Sequence, residues 1–277
     1  MTRKTATEIK ISPSSQWSFQ YYVDIWNARE LLYIFAWRDL KVRYKQTVIG
    51  ALWAVFQPLF QTFIFTFFFG RLAQISSNGM PYSLFVLTGL VFWGFFSTLI
   101  STSSNSLIEN ENIIKKVYFP RVILPFSKII VGLVDFAIVF VMLVIAIFSF
   151  GYSLRIEFLI MVIIGLLISS VAGCGLSLLL SSVNVKYRDV RYALPFFLQM
   201  LIFLTPVIYP VNIVRPALKY VMAVNPMTGV VEGVRMAISG NQIDIPILGI
   251  SALSAIVIFV IGFYYFRSTE KYFADIV

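Results

Sequence analysis

No histidine occurs in the 277-residue chain and there is a single cysteine, Cys174. The usual imidazole base, the commonest metal ligand, an intrachain disulfide and a thiolate metal cluster are therefore all excluded. No Gly-x-x-x-x-Gly-Lys-Ser/Thr stretch is present, so nucleotide phosphates have no cradle of that kind. Paired acidic residues at a membrane boundary, which a metal-dependent glycosyl or phosphoryl transferase needs for its divalent ion, are missing as well. Charge is scarce: charged residues make up 13% of the chain against 59% hydrophobic, too little polar surface to cover a soluble globule of this size. The bilayer is expected to be the solvent.

What is present is a set of long apolar runs separated by basic loops. A crossing helix needs about 20 mostly apolar residues, and six segments qualify: 50–69, 82–103, 129–150, 158–183, 193–211 and 247–266. The net charge of +9 would suggest nucleic acid in a soluble chain. Here the cations sort by loop: 17 fall on one side of the six runs and five (Arg71, Arg155, Arg215, Lys219, Arg235) on the other. That asymmetry sets membrane topology and predicts both termini in the cytosol, with no nucleic-acid partner. The first 46 residues carry eight cations and no short apolar core with a small-residue cleavage site, so they are expected to stay inside and not to act as a secretory signal.

The expected fold class is thus an all-α integral membrane protein, N-in and C-in, with two parts. Residues 1–49 form a cytosolic tail and an interfacial helix, and 50–277 form the six-helix domain. Along the head, Tyr33, Trp37, Leu40 and Tyr44 make one aromatic-apolar stripe flanked by Arg38, Lys41 and Lys45, which predicts a helix lying flat on the inner leaflet. An interfacial anchor accounts for the stripe; a docking surface for a soluble partner also accounts for Asp39 and the density of cations opposite it. Residues 104–116 are polar, carry Glu109, Asn110, Glu111 and Asn112, and stop at Tyr118-Phe119-Pro120, so they predict a short rigid cytosolic helix between two spans.

Within the spans, Gly165, Ser169, Gly173 and Ser177 recur every four residues and offer one smooth stripe for close helix approach. Asp135 lies in the third run, two turns from Lys128; an intramembrane carboxylate is a functional candidate by default, and partial neutralisation by a snorkelling Lys128 is the other reading. Gln57 and Gln61 share a face of the first run and Gln199 interrupts the fifth, and polar side chains at such depth favour a wet cavity or a protein partner. After the fifth run, Pro216 opens a short helix. Asn225-Pro226 then supplies a capping side chain and a first-turn proline for a second helix that Gly240 closes. In that second helix Glu232 and Arg235 are placed to pair, and Met227, Val230, Val231, Val234 and Ile238 share a face. Two such helices over 215–240, dipping into the outer leaflet, are expected to form a lid over a pathway; a pair of helices resting at the interface is the other reading.

Several stretches together resemble a known family: Trp37-Arg38-Asp39-Leu40-Lys41-Val42-Arg43-Tyr44 with Gly50, Trp53, Gln57 and Pro58 behind it; Ile114-Lys115-Lys116-Val117-Tyr118-Phe119-Pro120-Arg121 with Leu124-Pro125; Tyr187-Arg188-Asp189-Val190; Thr205-Pro206-Val207-Ile208-Tyr209; and Asn225-Pro226-Met227. In order and placement they resemble the permease subunits of ABC-2 type exporters, most closely those for O-antigen, capsule or teichoic-acid polymers. The resemblance implies a non-enzymatic subunit of the inner membrane that works as a homodimer with two copies of a separate ATPase. That ATPase would bind ATP and Mg, and this chain no cofactor. It implies ATPase docking at Arg38, Asp39, Lys41, Arg43, Glu109, Asn110, Glu111 and Asn112, and an outer gate at Asn225, Pro226, Glu232 and Arg235. It also implies a channel along the first and fifth spans, where the aromatic and amide side chains are Trp53, Phe56, Gln57, Phe60, Gln61, Phe196, Gln199 and Phe203. Exporters of drugs or small lipids share that fold, and a membrane-bound polyprenyl-sugar enzyme is the reading from another class.

Overall fold

The computed structural model describes residues 19–45 and 50–273. Arg3, Lys4, Lys10 and the link from Gln46 to Ile49 lie outside them. Among the described residues the chain is helical throughout, with no strand. Helices α1 (Phe19–Asn27) and α2 (Arg29–Lys45) form the head; α3 (Gly50–Phe65) runs on into a π-helical stretch, Thr66–Leu72. Then come α4 (Tyr82–Glu109), a single turn α5 (Glu111–Ile114), α6 (Ile123–Ser149), α7 (Ile156–Lys186), α8 (Val190–Leu204), α9 (Pro216–Met222), α10 (Pro226–Ser239) and α11 (Ile245–Thr269).

Five of these are long and apolar enough to cross a membrane: Trp53–Leu72, α4, α6, α7 and the stretch from α11 to Tyr272. The fifth expected span, 193–211, is a helix of only 15 residues. It stops because Pro206 disfavours helical backbone at the residue before it, and Thr205 turns extended with ψ 138°. The expected separate helix over 104–116 also differs from the structure. Most of it is the continuation of α4, which runs unbroken through Glu109, and only Glu111–Ile114 is a distinct turn.

α4 and α7 make the centre. α4 is buried along most of its length, with Phe92, Leu84 and Leu99 fully enclosed. The small-residue stripe of α7 receives it: Gly165 lies against Phe92 and Val230, Gly173 against Leu99, and Ser169 against the Met227 sulfur. On its other side α7 meets α11 backbone to backbone, since a Cβ on Gly262 would overlap the carbonyl of Gly175, and a Cβ on Gly175 would strike the Phe259 backbone. Such close approach lets dispersion and helix packing act where lipid tails offer no hydrophobic drive.

α10 differs from the one-sided amphipathic helix that its apolar face predicts. Its start and stop are as expected: Asn225 caps the helix by accepting from the Met227 amide at 3.0 Å, Pro226 opens it, and Gly240 closes it with φ 72°. Yet it is buried on every face, not only along Met227, Val230, Val231, Val234 and Ile238, and it is inserted between α4, α7 and α11. It is a core helix; α9, with no buried residue, is the exposed one of the pair.

Gly262→Leu forces α7 and α11 apart and is expected to cost about 1–3 kcal/mol or more, the range for overpacking a tight core. Gly249→Leu, on the same helix with open space around it, serves as the control. Thermal unfolding of the detergent-purified protein, followed by intrinsic fluorescence, compares them.

Candidate functional site

Two polar regions stand out, one at the head end of the bundle and one along α3 and α4. The head is fastened to the bundle by charge. Arg38 donates to Asp39 and, from Nη1 at 2.8 Å, to the Asn110 side chain. Lys128 Nζ sits between Asp39 at 2.9 Å and Glu109 at 3.2 Å. One level further along the same two helices, Arg43 pairs with Asp135 at 2.6 Å, and the Tyr44 hydroxyl donates to the other Asp135 oxygen. Burial and that hydrogen bond push the Tyr44 phenol up to about 12. The expected Lys128–Asp135 pairing is thereby corrected: each takes its partner from α2. α2 is tied to α6 at two successive levels, and its last turn reaches the apolar run of α6.

The docking candidates divide accordingly. Asn110 is buried and also donates to the Ser106 carbonyl at 2.7 Å; Asp39 is turned onto Lys128, and Arg43 onto Asp135. Lys41 and Asn112 are exposed, as are Glu109 and the Glu111–Lys115 pair at 2.7 Å in good part. Its hydrogen bond from Lys115 holds the Glu111 carboxyl below the usual carboxylate range. At the same end, Glu270 accepts from the Arg121 amide at 3.0 Å and from Arg267 at 2.6 Å, and Arg267 lies 3.3 Å over the Tyr21 ring. The first and last described helices therefore close on one end of the bundle.

The second region is a groove of about 520 Å3 lined by Gln57 and Gln61 of α3, Gln199 and Phe203 of α8, and Ser97, Thr98, Ser101 and Thr102 of α4. Trp93, Phe65, Pro195, Leu198 and Ile202 complete its apolar wall. Gln57 and Gln61 thus meet Gln199 in one place. The α4 hydroxyls are not singled out by the sequence, because they fall within the apolar run 82–103, although Ser97-Thr98 and Ser101-Thr102 repeat at one helical turn. Trp53, Phe56 and Phe60 do not line the groove. They stack on one another at 5.8 and 5.7 Å along an outer face of α3, more than half exposed, and Phe196 is exposed on α8. A smaller cavity of about 190 Å3, sharing Gln57, Gln61, Trp93, Ser97 and Thr98 with the groove, extends to Arg43 and Asp135.

At the other end, the gate candidates do structural work. Arg235 is buried and donates to three backbone carbonyls, Phe85 at 3.0 Å, Pro206 at 2.6 Å and Val207 at 2.7 Å, with its guanidinium 3.4 Å over the Phe85 ring. Tyr82 donates to the next carbonyl, Ile208, at 2.6 Å. Glu232 is the ion partner of Arg235, at 3.8 Å, as its spacing predicted. Asn225 adds a bond from its amide to Thr205 Oγ1 at 2.8 Å. Together they satisfy the non-helical backbone that follows α8.

Five apolar helices long enough to span a membrane, a polar groove between them and a head strapped to one end are the frame of a membrane protein of the permease class. The chain matches the ABC-2 type transporter family over residues 30–239 and belongs to it; it is a multi-pass membrane protein of the permease kind. Among curated relatives, it is similar to the O-antigen export system permease protein RfbA of Klebsiella pneumoniae, 26% identical over 250 residues that cover 89% of this chain and 95% of the relative. The RfbA permease of Myxococcus xanthus is 23% identical over 91% of this chain and 97% of its own. The polysialic acid transport protein KpsM of Escherichia coli is 20% identical over 84% and 91%.

Arg235→Met strips three carbonyls and leaves Glu232 buried without its counter-charge, a loss of about 3–5 kcal/mol. Gln199→Ala, on the groove, is expected to change stability by less than about 0.5 kcal/mol. Unfolding of the two purified variants beside the parent checks both.

Proposed function

We propose that this chain is the channel-forming subunit of an ATP-driven exporter that moves a lipid-linked polysaccharide, of the O-antigen, capsule or teichoic-acid type, outward across the cytoplasmic membrane. It works as a homodimer with two copies of a separate ATPase, which binds the ATP and Mg, and both of its termini are cytosolic. The observation that carries the reading is the groove: three amides and four hydroxyls on an apolar, aromatic wall. Sugar rings present C–H faces beside hydroxyls, so sparse amides and aromatic planes let a glycan slide without tight capture. Relatives named for O-antigen export and polysialic acid transport support the polymer over a small amphiphile.

The exposed stack of Trp53, Phe56 and Phe60 on α3, the helix that also supplies Gln57 and Gln61 to the groove, supports a second copy facing the first there. The collection of α2, α5 and the basic loops at one end supports that end as the cytosolic one. There Lys41, Glu109, Glu111 and Asn112 offer mixed charge to a soluble partner, and closure of the ATPases would press on the head and the α4–α5 corner together.

Two experiments test this. In a deletion strain complemented with the full chain and its neighbouring ATPase, Gln61→Trp fills the groove and is expected to bring surface glycan to the level of the deletion, with the protein still inserted. Normal surface glycan with that variant would sink the groove as the path. Lys41→Glu with Glu111→Lys is expected to weaken ATPase co-purification by about tenfold, the scale of two or three partly exposed ion pairs; undiminished co-purification would remove the docking surface from this face.

A further inference from the structure

A cavity of about 230 Å3 lies at the end of the bundle opposite the head, where α7 begins and α10 hands over to α11. Its wall carries one cation, Arg155, and one anion, Glu157, with Asn241, Gln242 and Ile243 of the loop between α10 and α11. Among the described residues neither charged side chain takes part in a hydrogen bond or ion pair, with the other or with any third group. Arg235, by contrast, spends its donors on three carbonyls. Packing holds the Arg155 guanidinium where it is: a Cβ on Gly240 would fall 2.8 Å from its Cζ, and Gly240 sits at φ 72°, in the left-handed region that favours glycine. Gly240 thus serves twice, as the stop of α10 and as the surface on which the guanidinium rests. From that level inward, Ile156, Ile160 and Ile163 recur at helical spacing along an exposed face of α7, and Ile245 is exposed at the start of α11. The two charges therefore stand at the edge of an apolar face on a membrane-spanning helix.

We propose that this cavity binds the headgroup of a zwitterionic phospholipid with a primary ammonium, the phosphoethanolamine class, in the leaflet opposite the head. Arg155 takes the phosphate, since a guanidinium presents a planar fork of donors that matches phosphate oxygens. Glu157 takes the ammonium, whose three N–H donors suit a carboxylate. Asn241 and Gln242 add amide donors for the remaining oxygens, and the acyl chains lie along the isoleucines of α7. Size decides against a saccharide: pockets that enclose drug-sized ligands run to about 300–1000 Å3, and 230 Å3 suits a headgroup. Charge decides against an anionic lipid, because a headgroup of net negative charge is attracted at Arg155 and repelled at Glu157. A choline headgroup has no N–H donor and leaves Glu157 without a hydrogen bond. The bound headgroup joins the first turn of α7 to the α10–α11 loop, so it also stabilises the fold. The site is independent of what the groove carries; only the assignment of its leaflet as the outer one rests on the orientation proposed above. In the sequence Arg155 counts as one of five minority-side cations, and Glu157 has no signal of its own.

The test is native mass spectrometry of the purified full-length protein, delipidated in detergent and titrated with phosphatidylethanolamine, phosphatidylcholine or phosphatidylglycerol of identical acyl chains. The parent is expected to bind the ethanolamine lipid about tenfold more tightly than either of the others, the scale of one charge-assisted hydrogen bond. Arg155→Gln is expected to weaken its binding by about the same factor. Glu157→Gln is expected to erase the preference for ethanolamine over choline and to let phosphatidylglycerol bind more tightly than it does to the parent. Both side chains are exposed, so neither variant disturbs the core. As a second readout in solution, phosphatidylethanolamine is expected to raise the unfolding temperature of the parent and not that of Arg155→Gln. Equal binding of the three lipids by the parent, tighter binding of phosphatidylglycerol than of phosphatidylethanolamine, or an unchanged preference in Glu157→Gln overturns the proposal. So does ethanolamine-lipid binding that Arg155→Gln leaves intact. Because no export step enters this assay, the lipid preference stands even where Gln61→Trp exports normally, and its loss leaves the reading of the groove untouched.

Discussion

In a bilayer each backbone carbonyl that leaves a helix must find a donor inside the protein, and Arg235 is how this fold meets that demand. α8 ends at Leu204, short of a full crossing, and the chain continues in turns and bends through Thr205, Pro206, Val207 and Ile208. Two donors from Arg235 and one from Tyr82 cover Pro206, Val207 and Ile208, and a third donor of Arg235 reaches the Phe85 carbonyl within α4. A buried guanidinium is costly by itself; here Glu232, the carbonyls and the Phe85 ring offset the cost. The helix that carries Arg235 must then lie inside the bundle, which is why α10 is enclosed by α4, α7 and α11 and not spread on the surface. The short α8 in turn leaves Gln199 and Phe203 facing α3 and α4, and the groove is the space so formed.

A second set of charges holds the opposite end. Lys128 joins Asp39 of the head to Glu109 at the end of α4, Arg38 joins the head to Asn110, and Arg43 with Tyr44 joins it to Asp135. These contacts are partly buried, so they are screened less by salt than surface pairs. The head is therefore part of the bundle's structure as well as a surface, and the α4–α5 corner and α2 form one polar node. Phe35 stacked near Phe119 at 5.7 Å adds an apolar contact across the same joint.

Much was legible from residues alone because it depends on local chemistry. Apolar run length gave the long helices; the Asn225, Pro226 and Gly240 signals gave both ends of α10; the four-residue spacing of Gly165, Ser169, Gly173 and Ser177 gave the face on which α4 and α10 pack. Gln57, Gln61 and Gln199 stood out because amides are rare in such runs, and the structure brings them to one groove. Asp39, Arg43, Asn110 and Arg235 look like surface or gate groups in the sequence, and their partners on other elements lie 28 to 150 positions away. Periodicity carries no information about such pairs.

Hydropathy, capping and motif order are properties of neighbouring residues, so they were enough to show that this chain lives in a membrane, where α10 begins and ends, and to which family it belongs. Only the tertiary structure decided that α10 is a core helix, that Lys128 and Asp135 each pair with the head, and that the hydroxyls of α4 complete the groove. The physical reason is that a buried charge or a freed carbonyl must be matched by whichever donor or acceptor the packing brings within about 3 Å, and that choice is made between helices, not along them.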